Sequence, residues 1–600
     1  MSMPENEIQG RLFDRSLTRR MLVYIRPYKR MLFVAVALLL LMALGTSTLP
    51  LLLKNAIDQY LLAEESGLSG AQRVQGLSRL TMWYAGLAFA LFVLRYAQSY
   101  LMSWIGERII YDMRADLFGK IVRLPLRFMD RNPVGRMMTR VTSDVDAIQR
   151  FVTDGLVGLA ADLFALFAIM GFMIYVSPRL AFTLFALLPV LFGLVAWINH
   201  HVRRAHRDVR RRQSALNAYL QEMITGMTTI QLFNREQDVR ERFGTFNRSL
   251  RESWIKSVRW LSYSFPLMEI LNALSFSLVL LIGGWAILSG SDAITVGVVV
   301  AFLAYIRDFY RPLEDLSDKS TIFQSAMASA ERIFALFDES EDVPEPASPV
   351  DAGAFQGRIV FDRVWFAYND DDWVLKNLSF TIEPGEAIAI VGATGAGKTS
   401  IISVLARFYD VQRGSVQVDG VDLREYRTAD LRKRIGLVLQ DPFIFSGSVA
   451  DNISLLNPEI TREQIEEAAC YVNADRFIRA LPQGYDTPVQ ERGITLSTGQ
   501  KQLLALARAL VQNPDILLVL DEATANIDTE SEQWIQDALR KVMRQRTSII
   551  IAHRLSTIRG VDRILVMRGG ELVEQGSHQA LISRDGYYRR LYELLAHTPV

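Results

Sequence analysis

Three stretches of this chain carry no Asp, Glu, Lys or Arg for 20 residues or more: residues 32–53, 180–199 and 270–291. A bilayer core of about 30 Å takes roughly 20 helical residues, so each stretch is long enough to cross a membrane alone. Three shorter apolar runs, residues 81–94, 163–178 and 293–306, are bounded by Arg95, Asp162 and Arg307. Together they predict six spans. Basic residues decide the orientation. The segment before the first span and the connections 104–150 and 200–259 hold 29 Lys and Arg, and the alternate connections hold 4. Both termini are therefore expected in the cytosol, as an even number of spans requires. In that orientation Arg95, Asp162, Glu269 and Arg307 share one depth, the cytosolic end of their spans. Helices that run on below the membrane, or a wet cavity open to the cytosol, would accommodate them.

The remaining signals narrow the class further. Half of the residues are apolar and 22% are charged, which excludes a disordered chain. The 66 basic and 65 acidic residues nearly cancel, so no polyanion-binding excess exists and no nucleic acid is expected. A single cysteine, Cys470, rules out a disulfide framework and reads as a buried small residue. The first 30 residues lack the short apolar core of a cleavable signal, and residues 9–20 read as a short interfacial helix. The run 203–212 is basic and suits a helix beside anionic lipid. Residues 317–337 have helical spacing, and residues 338–357 are acidic and rich in Pro, Ser and Ala. The expected division is therefore a cytosolic segment 1–30, a membrane domain 31–325, a connector 326–357 and a last domain 358–600. In that domain short β-branched runs alternate with helical stretches, the pattern of an α/β fold with a mainly parallel sheet.

Chemistry enters at residues 387–391, Ala-Ile-Ala-Ile-Val, a buried strand by composition. The loop Gly392-Ala393-Thr394-Gly395-Ala396-Gly397-Lys398-Thr399 follows, then Ser400 and a helical stretch to Tyr409. This is G-x-x-x-x-G-K-[ST] in its strand–loop–helix context. The glycines let backbone N–H groups turn into the loop, where they and the helix N-terminus cradle phosphate oxygens. Lys398 should reach the β- and γ-phosphates, and the Thr399 hydroxyl should ligate Mg²⁺. A second buried run, residues 516–520, ends in Asp521-Glu522. The first acid suits Mg²⁺ and the second suits polarising an attacking water. His553 follows a third apolar run, at the strand-end crevice where α/β sheets bind ligands, and suits a γ-phosphate contact.

From about residue 358 to 590 the chain resembles the nucleotide-binding domain of ATP-binding cassette (ABC) transporters. The resemblance rests on Tyr368, the phosphate loop, Gln440, Leu496-Ser497-Thr498-Gly499-Gln500, Asp521-Glu522, Asp528 and His553, in that order. The first half resembles the six-helix exporter module of the same family. Phe128-Met-Asp-Arg-Asn-Pro-Val-Gly135 looks like its first coupling-helix region, and Thr225-Gly-Met-Thr-Thr-Ile-Gln-Leu-Phe-Asn-Arg-Glu236 like its second long loop. The fold implied is multi-domain: an all-α six-helix transmembrane module followed by an α/β P-loop NTPase domain.

The resemblance also implies roles. Tyr368 would stack on adenine, and Gln440 would touch Mg²⁺ or water. Thr487-Pro-Val-Gln-Glu-Arg-Gly493 looks like the X-loop. Ser497 and Gly499 would contact the γ-phosphate of ATP held by a second subunit, and Asp528 would bridge the two. Glu522 and His553 would be the catalytic pair; ATP and Mg²⁺ are the cofactors implied. One membrane module and one cassette make a half-transporter, so the chain should work as a dimer in the cytoplasmic membrane. Its cargo would be a small lipophilic or amphipathic compound. Thr498 stands where the family usually has Gly. That departure resembles one half of the heterodimeric multidrug exporters, whose partner supplies an intact signature and lacks the catalytic acid. A homodimeric lipid or glycolipid flippase is the alternative, and an ATP-gated channel or sensor is the rival from another class.

Overall fold

A computed structural model describes residues 14–62, 69–289, 293–340, 343–369, 372–521, 529–543, 546–552 and 555–597. The chain divides into two compact units. One joins the residues up to 121 with 135–339; the other joins 122–134 with the residues from 340 on.

The first unit is helical. Helix α1 (Arg15–Ile25) is capped by the Asp14 carboxylate, which accepts from the Ser16 and Leu17 amides. It buries Met21 and Ile25 and leaves Leu22 and Val23 exposed, an amphipathic helix a few residues beyond the segment expected from sequence. Next come α2 (Lys29–Ala56), α3 (Gly70–Arg123) and the short α4 (Leu126–Arg131), which belongs to the second unit. A helical run α5 (Val134–Val176) follows, then α6 (Pro178–Phe185), α7 (Leu188–Thr225), α8 (Met227–Leu232), α9 (Glu236–Leu288) and α10 (Val296–Asp338). At 1.5 Å per residue the 54 residues of α3 extend about 80 Å, far more than a bilayer core needs. Arg95, Asp162, Glu269 and Arg307 each fall inside a helix that continues past them.

Among the described residues, four helices are long and apolar enough to cross a membrane: Arg15–Leu61, Gly70–Arg123, Val134–Val176 and Glu269–Leu288. The other two expected spans differ from the reading. The run 180–199 is split, because α6 stops at Phe185 and α7 restarts at Leu188 with a proline in its first turn. The run 293–306 becomes the start of α10, capped by the Thr295 hydroxyl. The stretch 317–337, read from its helical spacing, continues that same helix without a break.

Helices α2 and α10 are pinned twice. The buried Tyr305 hydroxyl donates to the Ser47 carbonyl at 2.8 Å. Nearer the other end, Asp58 accepts from the Thr295 hydroxyl at 2.6 Å and from the Gly297 amide at 2.8 Å. A Cβ on Gly297 would lie 2.5 Å from the Asp58 Oδ1 and 2.6 Å from the Lys54 carbonyl. Gly297→Ala is therefore expected to cost about 1–3 kcal/mol, the usual penalty for overpacking. The measurement is thermal unfolding in detergent, and an unchanged midpoint would contradict this packing.

The second unit holds two main sheets. The first is antiparallel, ordered β2 (Trp373–Ile382), β1 (Ile359–Ala367), β4 (Arg413–Val418), β5 (Val421–Asp422). The second is ordered β12 (Glu571–Gly576), β11 (Arg563–Arg568), β3 (Ala387–Gly392), β10 (Thr547–Ala552), β9 (Ile516–Asp521), β6 (Ile435–Val438), and is parallel except for β12. A small ribbon pairs β7 (Gly447–Ser448) with β8 (Pro488–Val489). Strand β3 is buried on both faces. Its Ile388 and Ile390 enter the core shared with β1 and β2, and Ala387, Ala389 and Val391 enter the core on the opposite side. This period-two division, repeated in β9 and β10, is why these strands read as continuous apolar runs. Cys470 corrects the sequence reading: it is exposed, near the end of helix α12 (Arg462–Tyr471), whose buried face is taken by Ile465, Ala468 and Ala469.

Candidate functional site

The phosphate loop leaves the end of β3 and enters helix α11 (Lys398–Leu405). Gly392, Ala393, Thr394, Gly395, Ala396 and Gly397 form the turn. Gly397 closes it at φ +93°, a left-handed conformation that favours glycine. Gly392 is required for a different reason: a Cβ there would stand 2.3 Å from the Met567 carbonyl oxygen of β11. Lys398 is buried, and its ammonium donates to the Gly392 carbonyl at 2.7 Å and the Ala393 carbonyl at 3.1 Å. Its cation is thus held inside the loop, where a phosphate oxygen can replace the carbonyls. Thr399 is exposed and Ser400 is buried.

Neighbouring strands bring the Asp521 backbone to this edge. Ala552 pairs with Asp521 across β10 and β9, and Ile551 pairs with Ile390 of β3. The Asp521 backbone therefore ends level with the start of the loop, two strands or about 10 Å away. Glu522, Asp528 and His553 lie outside the described residues. Gln440 is exposed just past the end of β6. Thr399, Asp521 and Gln440 offer only hydroxyl, carboxylate and amide oxygens, the hard donors that Mg²⁺ takes.

Tyr368 lies beside the loop. Its hydroxyl is 3.1 Å from the Ser400 Oγ, and its ring meets Phe366 and Tyr409 edge-on at 4.8 and 5.1 Å. Sequence reading missed the support behind it. The Arg131 guanidinium of α4 donates to the Tyr368 carbonyl and to the Asn369 side-chain oxygen, both at 3.3 Å. The Tyr409 hydroxyl donates to the Asp130 carboxylate. Burial, and then that bond, push the Tyr409 phenol well above its usual range. Asp130 and Arg131 sit inside the motif read as Phe128–Gly135, but no local pattern ties them to Tyr409, nearly 280 residues later.

The signature residues start helix α13 (Thr498–Leu510). Ser497 is the cap: its Oγ accepts from the Gln500 amide at 3.2 Å, and the Gln500 Oε1 accepts from the Ser497 amide at 2.9 Å. Leu496 and Gly499 are buried, and Ser497 is exposed. Thr498 occupies the first helical position and is not among the residues with positive φ, so its side chain leaves the turn undistorted. The reciprocal cap between Ser497 and Gln500 is complete around it.

Fold and site together describe a membrane protein driven by a nucleoside triphosphate. Residues 32–313 match the family described as ABC transporter transmembrane region, and residues 375–525 match the one described as ABC transporter. The chain is 33% identical, over 583 residues, to a putative multidrug export ATP-binding/permease protein, YgaD, of Bacillus subtilis (strain 168); the match covers 96% of this chain and 99% of that one. It is 34% identical over 580 residues to an ATP-dependent lipid A-core flippase of Syntrophus aciditrophicus (strain SB), covering 96% and 94%. A solved structure of a bacterial Atm1-family ABC exporter with ATP bound superposes with a TM-score of 0.76 at 29% identity, covering 98% of this chain and all of that one. This chain belongs to the ABC transporters. It is a multi-pass membrane exporter that binds ATP and couples its hydrolysis to transport.

Proposed function

We propose that the chain is one half of a dimeric exporter that moves lipophilic or amphipathic compounds, multidrug-type, out across the cytoplasmic membrane. Both termini and the nucleotide-binding domain would be cytosolic. The observation that carries this reading is the fusion in one chain of long apolar helices with a phosphate loop and an exposed, capped signature turn.

On this reading Tyr368 stacks on adenine. Lys398 exchanges the Gly392 and Ala393 carbonyls for the β- and γ-phosphate oxygens, and the loop amides hold the rest of the phosphate chain. Thr399, Gln440 and Asp521 would hold Mg²⁺, which when bound would neutralise phosphate charge. Glu522 orients and deprotonates the attacking water, and His553 holds the γ-phosphate. Ser497 and Gly499 donate from a helix N-terminus to the γ-phosphate of ATP on the other subunit, and Asp528 joins the two domains. Arg131 and Tyr409 support Tyr368 from behind.

A heterodimer is favoured by Thr498 in place of Gly: a γ-carbon at that turn would crowd a phosphate, and the partner's signature would then serve the Glu522 site. The homodimeric lipid flippase is the second reading, favoured by the undistorted cap around Thr498 and by the flippase relative. The purified chain decides between them. Alone, with Mg²⁺, the heterodimer predicts near-zero ATP turnover by a folded, ATP-binding protein. Robust turnover that depends on Glu522 would establish the homodimer.

A further inference from the structure

A cavity of about 480 Å³ opens among α2, α3, α5 and α10 of the first unit. Its walls divide by chemistry. Along α2, from Leu39 to Leu53, and at Ile169 of α5, the lining is largely apolar. Five charged side chains, Arg95, Asp162, Asp308, Arg311 and Asp315, collect at the end that the charge count places toward the cytosol. Asp308, Arg311 and Asp315 recur at i, i+3 and i+7, so they share one face of α10.

These charges are not all settled by the protein. Asp162 is paired with Lys319, which stands outside the lining. Among the described residues, no hydrogen bond or ion pair engages Arg95, Asp308, Arg311 or Asp315. Asp308 lies in the field of Arg311, one turn along the same helix face, and all four side chains are exposed, so two acids and two guanidinium groups are open to whatever enters, beneath an apolar wall. Charges kept beside apolar surface at membrane depth are costly unless something uses them. A purely cationic guest would leave both arginines repelling it, and a purely anionic guest would meet two aspartates.

We propose that this cavity is this chain's part of the cargo site, and that it takes a zwitterionic amphiphile. The ammonium lies toward Asp308 and Asp315, the phosphate or carboxylate toward Arg95 and Arg311, and the alkyl chain lies along α2. This assignment rests on the export reading and adds the chemical class of the cargo.

The test uses the full chain in a neutral maltoside detergent, with probes that share a dodecyl chain. These are a dodecyl phosphocholine, a dodecyl betaine, a dodecyl trimethylammonium and a methyl dodecyl phosphate diester, which carries one negative charge, all below micellar concentration. Equilibrium binding should favour the zwitterions at least tenfold over both singly charged probes. The better zwitterion identifies the anion. Asp308→Asn should weaken the ammonium-bearing probes about tenfold and spare the phosphate, and Arg311→Gln should do the reverse. Retained ATP binding shows that each variant is folded. Equal binding of all four probes, tightest binding of a singly charged one, or variants with no effect on head-group preference would overturn the assignment. If Glu522-dependent turnover persists in that case, export stands and only the cargo class fails. If turnover is absent from every pairing tried, the export reading itself fails.

Discussion

Glu522→Gln is expected to lower Mg²⁺-dependent ATP turnover by ~10²–10⁴-fold, the range for losing a general base, with ATP binding nearly unchanged. The side chain keeps its volume and its place after β9 but can no longer take a proton from water. Neighbouring Asp521 provides the contrast. It ends the same buried strand, opposite Ala552, and is assigned to the cation, so Asp521→Asn should weaken ATP binding as well as turnover. Phosphate release and binding of a fluorescent ATP analogue, measured side by side, separate the two. The expectation holds whichever dimer forms. A homodimer would lose both of its sites, and a heterodimer whose partner lacks the acid would lose its one competent site. Wild-type-like turnover in Glu522→Gln would remove this residue from the chemistry. Loss of binding together with turnover would make it structural.

Elements with a local cause were legible in the sequence. Strands β3, β9 and β10 are buried on both faces, so their composition announces them. The phosphate loop is announced by glycines that the backbone path demands. Three of the six spans were long uncharged runs, but one of those, 180–199, breaks between Phe185 and Leu188, a turn that apolar composition hides. The antiparallel sheet was less visible. In β2 and β4 buried positions are interrupted by half-buried and exposed ones, so neither makes a continuous apolar run. The contacts of Asp130 and Arg131 with Tyr409 and Tyr368 join segments hundreds of residues apart, and no periodicity encodes such a pairing. Cys470 was misread because its residue type favours burial, whereas its position on α12 falls on the exposed face.

Gly392→Ala should cut ATP affinity by about 5- to 150-fold, and more than the same change at Gly395. Gly392 and Met567 are register partners in the parallel pair β3–β11. The atom that an added Cβ would meet, 2.3 Å away, is a main-chain carbonyl that cannot rotate aside, and the Ala396 Cβ follows at 3.2 Å. Either β3 shifts or the loop does. The usual overpacking cost of about 1–3 kcal/mol corresponds to that range in a binding constant if it falls on the ATP-bound loop. The same displacement moves the carbonyl that now receives Lys398 at 2.7 Å, and hence the point from which the ammonium must reach phosphate. Gly395 meets nothing within 4 Å, so alanine there carries only the strain of its φ of +81°, about 1–2 kcal/mol. Nucleotide titration of both variants ranks the two costs. A larger loss at Gly395 would mean that the left-handed turn, rather than the β3–β11 contact, sets the position of the phosphate cradle.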